Sequence, residues 1–146
     1  MMKSDPLITY RRKPATLDVE SLEAFAQTLC DRVARKRNFH CLITSDAELR
    51  RLNAQFRGRD YATDVLSFPM DDSSLGDIAI SLQRARAQAR EWGNGVEDEI
   101  RILMLHGVLH LLGMDHERDS GEMGKAEVRW RRKLSLPVCL IQRVRA

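Results

Sequence analysis

The chain has 146 residues, 43% hydrophobic and 31% charged, a composition that excludes fibrous, low-complexity and unfolded chains and reads as one domain over 1–146 with its own core. No apolar run approaches a membrane span, the charged N-terminus (Lys3, Asp5, Arg11, Arg12, Lys13) does not read as a signal peptide, and Cys30, Cys41 and Cys139 lack a Cys-x-x-Cys pattern, so reduced thiols in a cytoplasmic protein are expected. Net charge is only +3, but 19 of 24 basic residues are arginine, clustered at 11–12, 35–37, 50–59, 84–90 and 129–133; this supports an RNA partner weakly, because base-composition bias in a gene has the same effect.

Residues 7–10 form a short strand candidate. Leu17 and Leu22 flank Asp18 as a hydrophobic staple would, and Leu22, Phe25, Leu29 and Val33 trace a helical stripe to about residue 35. Residues 39–44 read as a buried strand. Ser45-x-x-Glu48 is a capping box, and Leu49, Leu52 and Phe56 give the next helix its core face before Gly58 ends it. Strands at 65–70 and 78–80 are joined through Asp71-Asp72-Ser73-Ser74, and a helix over 82–92 stops at Gly93. Ile100, Leu103, Met104, Leu105, Val108, Leu109, Leu111 and Leu112 make the following helix apolar nearly all round, which marks it as buried. Glu97, Asp98 and Glu99 at its start suit the macrodipole and read as a solvated first turn. Asp119-x-x-Glu122 opens a last helix with Met123, Ala126, Trp130 and Leu134 on one face, ended by Pro137. The pattern predicts an α+β (α/β layered) fold, a small mixed sheet of about four strands packed with about five helices, one of them a zincin-like metal helix.

That helix carries the chemistry. Three of the chain's four histidines fall in the run His106-Gly107-Val108-Leu109-His110-Leu111-Leu112-Gly113-Met114-Asp115-His116. Positions four apart share a helix face, so His106 and His110 can aim at one atom; Gly113 can stop the helix, and the returning chain can deliver His116. Three neutral imidazoles with an open fourth position describe a catalytic Zn2+ site, one ion per chain, while His40 lies outside the run. Burial keeps such imidazoles neutral and ready to coordinate. The spacing also equals that of the metzincin motif, but Gly107 stands where the peptidase glutamate would be, so peptide hydrolysis lacks its general base. RNA cleavage makes different demands: the ribose 2′-hydroxyl can be an internal nucleophile, and zinc holds its water near a pKa of about 7.

Leu52-Asn53-x-x-Phe56-Arg57, Thr63-Asp64-Val65-Leu66-Ser67-Phe68-Pro69, Leu75-Gly76-Asp77-Ile78 and the histidine run, in order from about residue 45 to residue 123, closely resemble the YbeY-type endoribonuclease family of bacterial rRNA maturation factors. The resemblance implies a zinc-dependent, single-strand-specific endoribonuclease acting in 16S rRNA 3′-end maturation and ribosome quality control. Its partners would be single-stranded RNA or rRNA, the small ribosomal subunit and its assembly factors, with no membrane and no DNA. Arg57 matches the family's functional arginine and could clamp a phosphate. Asp64 reads either as a group orienting a ligand histidine or as a turn aspartate entering a strand. Asp115 reads as a turn residue, and Met123 as core packing rather than a floor beneath the metal. Ala62 stands where proline is common and Met114 where tyrosine is usual; the 69–75 connection is short, and residues 137–146 lie outside the resemblance. Two other classes remain open: a zinc hydrolase of peptides or esters, and a ribosome-assembly or RNA-binding factor whose metal is mainly structural.

Overall fold

A computed structural model of the chain describes residues 5–12, 14–59, 63–70, 74–138 and 140–145. In chain order it contains β1 (Ile8–Tyr10), α1 (Val19–Thr28), β2 (Asn38–Thr44), α2 (Asp46–Arg57), β3 (Val65–Pro69), β4 (Ser74–Ser81), α3 (Leu82–Trp92), α4 (Val96–Leu111), α5 (Glu122–Leu134) and α6 (Leu140–Arg145). The strands pair in the order β1-β2-β4-β3; β1, β2 and β4 are parallel and β3 runs antiparallel to β4. A four-strand mixed sheet with five helices of ten residues or more is the α+β architecture expected.

Local chemistry sets most boundaries. The side chains of Asp18, Ser45 and Ser81 accept hydrogen bonds from the first-turn amides of Ser21, Glu48 and Arg84, capping α1, α2 and α3. Only this half of the expected capping box at Ser45 forms among the described contacts, because the Glu48 carboxylate turns to Arg11 and Arg51. Gly58 and Gly93 close α2 and α3 in the left-handed conformation.

Several expectations change. The stripe to residue 35 is α1 followed by one π turn, Leu29–Val33, which ends with Arg35 and Lys36 at positive φ. The strand expected at 78–80 is eight residues long, since β4 is central and pairs on both edges, whatever the polarity of Ser74 and Asp77. Phe56 is 61% exposed; it packs edge-on to Phe68 at 5.7 Å rather than entering the core. The helix α6 was not foreseen. The turn expected at Asp71-Asp72-Ser73 lies outside the described residues, as do Ala62 and Cys139; Cys30 and Cys41 are buried free thiols.

The two faces of the sheet carry unequal loads. On one, Leu49 of α2 packs with Leu66 and Ala79 as a small cluster. On the other, Phe39, Cys41, Ile43, Ile78 and Ile80 meet α1 and α4 in the main core. The helix α4 is buried almost throughout, as its apolar circumference requires. It comes so close to β4 that a Cβ on Gly107 would lie 3.0 Å from two carbons of Ile78, and one on Gly76 would lie 2.7 Å from Cδ2 of Leu111. A side chain at 107 would therefore crowd Ile78 at the helix–sheet contact.

Gly107→Ala tests this directly. Alanine should add about 1 kcal/mol of helix propensity but cost roughly 1–3 kcal/mol by overpacking on a β-branched neighbour with stiff χ1. Urea unfolding should show a net loss of up to about 2 kcal/mol, smaller in an Ile78→Val background, where one crowding carbon is gone.

Candidate metal centre

The last two turns of α4 present His106 and His110 on one face. Gly113 at φ 95 then reverses the chain, its amide donating to the His110 oxygen while Met114 N–H donates to the Leu109 oxygen. Asp115 tightens the return by accepting from the Glu117 amide at 3.0 Å, which is the turn role expected of it. His116 is thereby laid back onto the other two, with ring centroids 4.7, 5.2 and 5.4 Å apart in the three pairs.

The three side chains can each offer one ligand atom, and these atoms all lie within 4.8 Å of one another. Nε2 of His106 and Nε2 of His110 are 3.1 Å apart, close to the roughly 3.3–3.4 Å separating two ligands on a tetrahedral zinc at 2.0–2.1 Å. Nδ1 of His116 is buried and meets no partner among the described residues. An orphaned ring nitrogen beside two convergent imidazoles costs free energy unless a cation satisfies it, so the donor set fits a bound metal. Burial, and then the neighbouring His106 and His116, push the His110 pKa down to about 4. His40 is outside the group, on β2 with Nε2 2.7 Å from Thr9 Oγ1.

The carboxylate that orients His106 is Glu127 of α5. Fully buried, it accepts from His106 Nδ1 at 2.7 Å, which leaves the Nε2 lone pair facing the other histidines. Its second oxygen accepts from the Ile141 amide of α6 at 3.1 Å. Asp64 instead accepts from Gln88 Nε2 at 3.0 Å and holds the loop entering β3. Sequence reasoning missed Glu127, though a signal existed: it lies four residues after Met123 and three before Trp130, a charge inside an otherwise buried stripe. Met123 is fully buried in the core, as expected.

Glu99 corrects a second expectation. It is not part of a solvated first turn but 0% exposed, held bidentately by Arg143 of α6, with Nη2 3.0 Å from Oε2. Arg143 also lies against the Trp92 ring, 4.7 Å from its centroid. The tail after residue 137 is thus tied in by two buried contacts, of which the one from Ile141 to Glu127 leads to His106.

The histidines open into a cleft of about 730 Å³ that also takes in Arg57, Asp64, Ser67 and Trp92. Arg57 closes α2 and donates from Nη2 to the Ser67 oxygen, with its guanidinium 5.8 Å from the Phe68 ring centroid. Ser67 in turn donates from Oγ to the Gly107 oxygen at 3.2 Å, so one residue of β3 registers both the arginine and the metal helix. That contact uses one of Arg57's five N–H groups.

A fold of this kind gathers three histidines that could hold a metal ion, with an arginine, around one cleft. The comparisons with known proteins narrow it. The family described as Endoribonuclease YbeY matches residues 7–135, and the chain belongs to that family. An Endoribonuclease YbeY of Solibacter usitatus is 62% identical over 139 residues, covering 95% of each chain, and one of Koribacter versatilis is 47% identical, covering 94% of this chain and 91% of its own. The solution structure of a Thermotoga maritima protein superposes with TM-score 0.58 at 31% identity, covering 84% of this chain and 85% of that one.

Two outcomes are expected of the centre. Glu127→Gln should keep the fold but weaken zinc binding about 10–100-fold in chelator competition, whereas His110→Ala should abolish stoichiometric zinc. In the metal-free protein, His110 titrates near 4 when folded and near 6.5 when unfolded. The unfolded chain takes up the proton first, so stability present above pH 6.5 should be lost as pH falls toward 4. Melting temperatures across that range should fall, and His110→Gln should flatten the slope.

Proposed function

We propose that the chain is a zinc-dependent, single-strand-specific endoribonuclease acting in 16S rRNA 3′-end maturation and ribosome quality control. In this reading His106, His110 and His116 hold the metal and Arg57 is the catalytic arginine. One observation carries the reading: in a member of the Endoribonuclease YbeY family, three convergent histidines and Arg57 share one cleft. Bound zinc supplies a Lewis acid for a phosphoryl oxygen. Glu127 keeps His106 in the coordinating tautomer, and burial keeps His110 neutral at physiological pH. Arg57 offers a planar fork to the same phosphate, anchored through Ser67 so that little reorganisation is needed as charge develops. Trp92, partly exposed at the cleft, offers a face on which an unpaired base can stack.

The two other classes fare worse. A peptidase or esterase needs a carboxylate beside the metal, and position 107 both lacks one and faces Ile78 of the sheet. A purely structural metal is closed by a fourth protein ligand, whereas three histidines open to a cleft leave that position to a substrate or solvent. No helix of the described residues is long and apolar enough to cross a membrane. The small ribosomal subunit and its assembly factors are the partners, in the cytoplasm.

With glycine at 107, the ribose 2′-hydroxyl is the easier nucleophile, which demands 2′,3′-cyclic phosphate or 3′-phosphate ends with 5′-hydroxyls. A 2′-deoxy nucleotide at the scissile position should block cleavage; 5′-phosphate products would show that water attacks. Arg57→Ala should lower kcat about 10²–10³-fold with zinc content and melting temperature unchanged. Arg57→Lys should rescue only in part, since a point charge replaces a fork.

A further inference from the structure

Helix α5 has two working faces. Its inner face buries Met123, Ala126 and Glu127, the last of which holds His106. Its outer face carries Lys125, Arg129 and Arg132 at i, i+4 and i+7, with Lys133 beside them. Successive members of that stripe are about 4.5–6 Å apart along the axis, comparable to the spacing of phosphates in an extended strand. The four cations line a groove of about 610 Å³. No carboxylate lines this groove among the described residues, and none of the four is in an ion pair there. Like charges gathered in one concavity repel one another, and a polyanion relieves that cost.

The groove is also next to the histidine cleft. Ile141 of α6, itself buried, lines both cavities. Among the described residues no aromatic ring lines the groove to read bases, which leaves phosphate contact as its chemistry.

We propose that the groove along α5 is a phosphate-binding track for the RNA flanking the scissile nucleotide, held there by Lys125, Arg129 and Arg132. The track binds without regard to sequence and acts on capture of long substrates, leaving the chemical step alone. This rests on the endoribonuclease reading.

The test compares the wild-type protein with Lys125→Gln/Arg129→Gln/Arg132→Gln, which keeps helix propensity and touches no residue of the metal centre. Two single-stranded RNAs share one cleavage sequence, the first just filling the cleft and the second extended on both sides. With the triple variant, KM for the long RNA should rise roughly tenfold or more at low salt, and the log–log salt slope should become shallower by about 2. Its kcat, zinc content and kinetics on the short RNA should match wild type, and Arg129→Lys/Arg132→Lys should retain tight capture. Equal KM values for the long RNA, or equal losses on both RNAs, would overturn the track. If the wild-type protein cuts neither RNA, the nuclease reading fails; anisotropy binding of the long RNA then decides the track, which stands if the triple variant loses affinity and salt slope and falls if it does not. Polyglutamate displacing the long RNA at equal charge concentration would identify an acidic protein surface as the occupant and overturn the assignment to RNA.

Discussion

The close seating of α4 on β4 governs the rest of the molecule. An apolar helix of 16 residues has to be covered on every side, and the glycine at 107 lets it settle until Ile78 fills the space a side chain would occupy. Once the helix is fixed at that depth, Ser67 reaches the Gly107 carbonyl, and Arg57 reaches Ser67. The direction in which His106 and His110 point follows from the same contact. The position that lacks the peptidase carboxylate is thus also the one where α4 sits tightest on Ile78.

Buried charge is the second organising theme. Glu99 and Glu127 are both fully buried, and each would cost several kcal/mol without a partner. Each finds one: Arg143 for Glu99, and His106 with the Ile141 amide for Glu127. Both solutions call on α6, a six-residue helix too short to be stable alone. The tail is held because it satisfies groups that the core has already taken out of water. Such pairs add little net stability over apolar substitutes, so their value lies in fixing one arrangement of α4, α5 and α6. α5 sits between these demands, holding a ligand with one face and presenting cations with the other.

The sequence alone determined those features whose causes are local. The Ser45 cap placed the start of α2, and left-handed glycines the stops of α2 and α3, because their energetics act within one turn. The His-x₃-His spacing followed by Gly113 specified the three-histidine cluster, since helix periodicity and one reversal suffice to converge three side chains. Arg57 came from the motif that surrounds it rather than from any local rule. What only the tertiary structure decided depends on partners far along the chain. The length of β4 is set by two neighbouring strands, and the depth of α4 by Ile78. Glu99 looked like an ordinary first-turn acid until Arg143, 44 residues later, covered it. Glu127 rather than Asp64 orients His106, because hydrogen bonding is decided by distance in space, and separation along the chain carries no record of it.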